Sequence, residues 1–181
     1  RQLSAQKAAR SVIALKFADT DSSLAADVTL DDLRDALLGA FIITYAQGLS
    51  LLQAASEEKS FGLDLAEIAK IWRGGCIIRS ALLEDIRAAY ATDGSLSNLL
   101  LNDDFAARLG QISTAWQKVI VAFTSTGVPS LCFSSALSYF EALRTERLSA
   151  NLIQAQRDFF GAHTYKRIDK EGTFHTSDWD R

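Results

Sequence analysis

Residues 29–52 read TLDDLRDALLGAFIITYAQGLSLL, and the spacing of their apolar side chains decides the fold. Thr29 can accept from the free N–H groups of a first helical turn, and Asp31 and Asp32 place negative charge at the positive end of the helix dipole. Leu30, Leu33, Leu37, Phe41 and Tyr45 then recur every three or four residues and define one apolar face. Leu38, Ile42, Ile43, Leu49 and Leu52 widen that face until it nearly encircles the helix. A helix apolar on most sides belongs in the middle of a core. It is expected to end near Lys59 or Ser60, ahead of Gly62.

Working outward, the same period recurs through most of the chain. Arg1 to Val12 reads as a helix that begins without a capping residue, as the cut end of a longer element would; residues 19–27 read as a loop. Asp64 caps a helix with Leu65, Ile68, Ala69 and Trp72 inward, and Gly74-Gly75 interrupts it. The spacing predicts helices over Cys76 to Tyr90, Leu96 to Leu101, a long one from Asp103 closing at Gly127 and Pro129, Ser130 to Arg147, and Asn151 to Phe160. A single proline in 181 residues leaves little to interrupt these ladders. The expected class is all-α, a multi-helix domain over residues 1–160. Residues 161–181 differ: both histidines, Tyr165, Phe174, Trp179 and many charges follow no helical period. They form an irregular tail that cannot build a core alone and must pack on its own domain or on a partner.

Composition narrows the function classes. Hydrophobic residues at 48% and charged residues at 23% suit a folded chain rather than a disordered one. A net charge of −3 gives no electrostatic case for nucleic acid or an anionic membrane as partner. The apolar run 36–46 is interrupted by Gly39 and Thr44, with Gln47 just beyond it, and is read as too short to span a bilayer. With no signal peptide visible, Cys76 and Cys132 read as buried, reduced thiols, and a cytoplasmic location is expected. There is no Gly-x-Gly-x-x-Gly turn after a strand, no metal-ligand spacing and no Gly-x-Ser-x-Gly elbow.

Two stretches carry more than fold class: IWRGGCIIR at 71–79 and ANLIQAQRDFFGAHTY at 150–165. With Tyr45-Ala46-Gln47-Gly48 and Phe174-His175-Thr176, they closely resemble the C-terminal domain of the 6-phosphogluconate dehydrogenase family, in the same order along the whole chain. The one visible departure is Ser149, where the family usually carries proline. The resemblance implies an NADP-dependent oxidative decarboxylation of 6-phosphogluconate to ribulose 5-phosphate, in a cytoplasmic homodimer whose tail passes through the other subunit. It implies that the catalytic lysine and glutamate, and the cofactor domain, lie upstream of Arg1, so that none of the 181 residues is catalytic and the chain alone turns over nothing. It further implies that no metal takes part.

By the same resemblance Arg157 and His163 bind the substrate, Arg157 gripping its phosphate across the dimer interface, with Arg1 as a third contact. A guanidinium offers phosphate a planar fork of donors and keeps its charge, and an imidazole donates to phosphate or hydroxyl oxygens. Outside this motif an arginine beside Asp158 reads as a surface ion pair, and a histidine among aromatics as a satisfied structural group. Trp72, Trp116 and Trp179 read as packing residues, Arg73 and Arg79 as partners of acids or helix ends, and Gly74 and Gly75 as sites of close helix approach. Glu57-Glu58 and Asp103-Asp104 read as solvated pairs. Two alternatives stay open: a purely structural helical dimerisation module, and a related β-hydroxyacid dehydrogenase acting on another substrate.

Overall fold

The structure, a computed structural model, describes residues 2–17 and 27–177. Arg1, Trp179 and most of the loop expected at 19–27 lie outside the described residues. Among those described there are eight α-helices: α1 (Gln2–Ala5), α2 (Lys7–Ala14), α3 (Leu30–Lys59), α4 (Leu65–Gly75), α5 (Leu82–Thr92), α6 (Asp103–Ser125), α7 (Leu131–Leu143) and α8 (Asn151–Gly161). Among the described residues extended pairing is limited to one antiparallel bridge, Tyr165 with Phe174. The chain divides into two compact units, 1–140 and 141–181. That division falls earlier than Gly161, where the loss of helical period had put it, because α8 groups with the residues that follow it.

The first unit is organised on α3 and α6. At the start of α3 the Thr29 hydroxyl accepts from the Asp32 N–H at 3.1 Å while the Asp32 carboxylate accepts from the Thr29 N–H at 2.8 Å, a reciprocal cap. Lys118 on α6 donates to the same carboxylate at 2.9 Å, so the cap also ties the two helices together. That ammonium, with the Thr29 donors, lowers the Asp32 carboxyl to about 2. Ile42, Ile43 and Leu49 of α3 meet Leu109, Trp116 and Val119 of α6 in the buried core. Each such side chain contributes roughly 1.5–3 kcal/mol by leaving water.

Close helix approach occurs at Gly39, not at Gly74 or Gly75. A Cβ built at Gly39 would stand 2.7 Å from Trp116 Cε3, whereas one at either glycine of α4 meets nothing within 4 Å. Gly74 and Gly75 instead end a helix. Cys76 turns extended, α5 starts only at Leu82 after the Ser80 hydroxyl accepts from its N–H, and Ile77 is fully exposed rather than packed. The helix expected over 76–90 is therefore shorter. Its apolar pair at 77–78 matched helical spacing, but two glycines in a row favour stopping the ladder. Residues 96–101 likewise yield only a 3-10 turn at Leu99–Leu101, and α7 stops at Leu143. The caps on Asp64 and the exposed acids 57–58 and 103–104 are as expected. Cys76 is half-buried and Cys132 exposed; both are free thiols, so burial of both does not hold.

The apolar-run argument also needs correcting. At 30 residues α3 is long and apolar enough to cross a membrane by length and composition, since Gly, Thr and Gln interrupt hydropathy without breaking a helix. What separates it from a spanning helix is packing: Ala36, Ile42, Ile43, Ala46 and Leu49 have no exposed surface and belong to the core shared with α6.

Candidate functional site

The second unit holds two of the three residues proposed from the sequence, and it is built on a buried charge. Asp158 lies on α8 next to Arg157, and its side chain has no solvent exposure. A carboxylate so placed must be fully bonded to be tolerated. It accepts from the Thr164 N–H at 2.9 Å, the Thr176 N–H at 3.0 Å and the His175 Nδ1 at 2.9 Å. An ionised carboxylate only accepts, so His175 Nδ1 carries the proton. Burial pushes the Asp158 carboxyl up, but the donors from Thr176, His175 and Thr164 together hold it below the ordinary carboxylate range.

These bonds close the tail onto the helix. α8 ends at Ala162, which is left-handed at φ 50° and returns its N–H to the Asp158 carbonyl. Thr164 is left-handed too, at φ 63°, and its carbonyl accepts from the Gln154 amide. Tyr165 and Phe174 then exchange both backbone hydrogen bonds, at 2.9 and 2.8 Å, and the Tyr165 hydroxyl meets Thr176 Oγ1 at 2.9 Å. Arg167 lies over the Phe174 ring, 5.8 Å from its centre. The region that lacked any apolar period is thus ordered by polar bonds and one aromatic pair rather than by a core of its own.

Arg157 and His163 are both exposed. Arg157 donates to Gln154 on the preceding turn at 3.2 Å and makes no ion pair with Asp158, whose oxygens are engaged elsewhere. His163 stands between the two left-handed residues, and its ring lies against Gly161. A Cβ at Gly161 would come within 3.1 Å of the imidazole Cδ2 and Nε2. Non-glycine residues in that region cost of order 1–3 kcal/mol each and persist where surrounding bonds over-determine them, a pattern common at binding sites. The two donors are six residues apart in sequence, and each has a neighbour bound into Asp158's network: Asp158 itself beside Arg157, and Thr164 beside His163. Arg1 lies outside the described residues. Periodicity missed Asp158 and His175, since an acid beside an arginine on an exposed helix reads as a surface pair. The Phe-His-Thr run was the one signal available, and it pointed to family rather than to contact.

Of the other residues singled out, Arg73 pairs with Glu84 between α4 and α5. Trp116 is wholly buried and stacks on Phe140, ring centres 6.3 Å apart. Trp72 and Arg79 line a cavity of about 500 Å³ with Phe41, Tyr45, Ile77 and Ile78, where the Tyr45 hydroxyl donates to the Ile78 carbonyl. Among the described residues no group of three or more His, Cys, Asp and Glu is gathered that could hold a metal ion.

An all-helical domain whose tail is pinned to its last helix is the class of protein that fold and site define. Residues 1–179 match the family described as "6-phosphogluconate dehydrogenase, C-terminal domain", and the chain belongs to that family. It is 46% identical over 157 residues to 6-phosphogluconate dehydrogenase, decarboxylating 2, of Arabidopsis thaliana, covering 87% of this chain and 32% of that protein. To the decarboxylating enzyme of Synechococcus elongatus it is 48% identical over 146 residues, 81% of this chain and 31% of that one. The chain thus spans about a third of the length of these relatives. The 6-phosphogluconate dehydrogenase of Plasmodium falciparum, solved in its apo form and in complex with NADP+ and with 6-phosphogluconate, superposes with a TM-score of 0.89. It is 39% identical, and the match covers 98% of this chain and 39% of that one.

Proposed function

We propose that this chain is the substrate-gripping and dimer-forming part of an NADP-dependent 6-phosphogluconate dehydrogenase. That enzyme would oxidise and decarboxylate 6-phosphogluconate to ribulose 5-phosphate in the cytoplasm. In this reading Arg157 and His163 hold the phosphate of a substrate lodged in the partner subunit of a homodimer, with Arg1 as a third contact. The observation that carries it is the exposed pair of donors at the end of α8, mounted on a backbone that the buried Asp158 carboxylate holds in place. The matched relatives bear the enzyme's name, and the Plasmodium enzyme was solved with both NADP+ and 6-phosphogluconate.

The chemistry of the pair suits the role. The guanidinium keeps its charge at any working pH and offers parallel N–H donors to two phosphate oxygens, and the imidazole adds a donor from a second direction. A phosphate held at one end of a sugar acid orients the carbons at the other, which converts remote binding energy into rate. Apolar side chains left exposed beside the site, Leu152, Phe159 and Phe160, suit a surface that a second subunit covers.

The test is steady-state kinetics of the intact protein carrying Arg157→Ala. Loss of a charge-assisted phosphate contact worth about 1.5–3 kcal/mol raises KM for 6-phosphogluconate by roughly ten- to a hundredfold, with kcat at saturation changed far less. An unchanged KM removes Arg157 from the site and leaves a helical dimerisation module.

A further inference from the structure

We infer that Asp158 and His175 are positioning residues for substrate binding: they set where Arg157 and His163 stand, without touching substrate themselves. The inference rests on the proposed function above and deepens it.

The argument is one of constraint. Arg157 and His163 occupy the last turn of α8 and the residues just past it, where helices fray and chains wander unless tied. The helix starts without a side-chain cap at Ala150, so it gains no rigidity there. Its far end is held by Asp158. One carboxylate oxygen accepts from the Thr164 N–H and His175 Nδ1, and the other from the Thr176 N–H. The first bond fixes the backbone beside His163 to the residue beside Arg157, so the two donors cannot separate or turn without breaking it. The remaining two bring in the returning segment, which the Tyr165–Phe174 bridge holds in register. With the tail shut, Ala162 and Thr164 remain left-handed, the conformation that places the imidazole against Gly161. A wholly buried carboxylate left with a missing donor is costly, so each of the three bonds supports the others. His175 is the donor that a side chain supplies; the other two come from backbone. It is also partly exposed, at 41% of its side-chain surface, so its replacement removes a hydrogen bond without opening a cavity.

The experiment uses the intact dehydrogenase, with KM for 6-phosphogluconate, KM for NADP, kcat and Tm measured for each variant. His175→Gln is expected to raise KM for 6-phosphogluconate about fivefold, the size of one lost hydrogen bond, with KM for NADP and kcat within twofold of the parent. Asp158→Ala is expected to raise it at least tenfold, because misplacing binding groups by about 1 Å costs as much or more. Asp158→Asn keeps one acceptor oxygen, for Thr164 and His175, and sets an amide nitrogen against the Thr176 N–H, so it is expected to raise KM by less than Asp158→Ala but above the parent. In a background of Arg157→Ala with His163→Ala, His175→Gln should add nothing, since a positioning residue has no effect once the groups it positions are gone.

Should Asp158→Ala fail to fold, His175→Gln decides alone. A large effect of Arg157→Ala beside a parental KM for His175→Gln and Asp158→Asn overturns this inference and leaves the proposed function intact. An effect of His175→Gln that persists in the doubly substituted background overturns it as well. A parental KM for Arg157→Ala removes both readings together.

Discussion

The two units of this chain are ordered by opposite means. In the first, α3 and α6 bury Ile42, Ile43, Leu49, Leu109, Trp116 and Val119 in a core that many side chains share. In the second, α8 and the tail close on a single carboxylate with three donors. Apolar packing is non-directional and roughly additive, so a core spreads its stability over many contacts and tolerates exchange of volume. A buried charge is directional and cooperative: it contributes little net stability when satisfied, and much is lost when one partner goes. The first arrangement suits a scaffold. The second suits an element whose geometry hangs on a few directed bonds, as the proposed placing of Arg157 and His163 requires.

That contrast can be tested from its strongest consequence downward. Trp116→Ala should cost about 3–5 kcal/mol in urea unfolding, the usual loss for a wholly buried aromatic, because both Gly39 and Phe140 are packed on its ring. A loss under 1 kcal/mol would mean that the first unit is not a packed core. Gly39→Ala should cost about 1–3 kcal/mol by the same assay, since the new methyl has to displace the indole. Gly48→Ala, with nothing within 4 Å of its Cβ, is the control and should be neutral or stabilising. Removing the cap with Thr29→Ala should cost about 1 kcal/mol.

The smallest effect at neutral pH is electrostatic. Asp32 and Asp158 both have carboxyls held below their ordinary value. Their contribution to stability is therefore complete above an ordinary carboxylate pKa of about 4 and is lost as pH falls through the lowered one, toward about 2 for Asp32. Neutral pH should show no dependence from either group. Between about pH 4 and pH 2, Tm should fall, and the fall should be shallower in Asp32→Asn. Over the same range the Thr164 and Thr176 amides, which donate to Asp158, should lose their protection from hydrogen exchange. Protection that survives to pH 2 would show that the tail is held by something other than the ionised carboxylate.

Much of the first unit was legible in advance, and for local reasons. Thr29 and Asp64 announce their helices because a capping side chain bonds only two or three residues ahead. The class of fold follows from period and from the scarcity of proline. Where reading failed, the cause was either an adjacent helix-stopping pair or a neighbour distant in sequence. Residues 77–78 matched a helical face, yet they lie in the turn after two glycines, and Ile78 offers its carbonyl to Tyr45 instead. The close approach expected at Gly74 and Gly75 occurs at Gly39, because only the facing helix determines which glycine sits beneath an indole.

The candidate site divides along the same line. Arg157 and His163 could be proposed from the motif, by resemblance to the family and not by residue type, which on its own reads as a surface charge and a structural histidine. The burial of Asp158, its bond to a histidine 17 residues later and the left-handed pair that flanks His163 could not. Sequence alone determined the all-helical class and the caps at Thr29 and Asp64, because those depend on neighbours within a turn. Tertiary structure alone decided which carboxylate is buried, which donors satisfy it and where the units divide. A hydrogen bond across many residues exists only after the chain has brought its ends together, and no local pattern records that meeting.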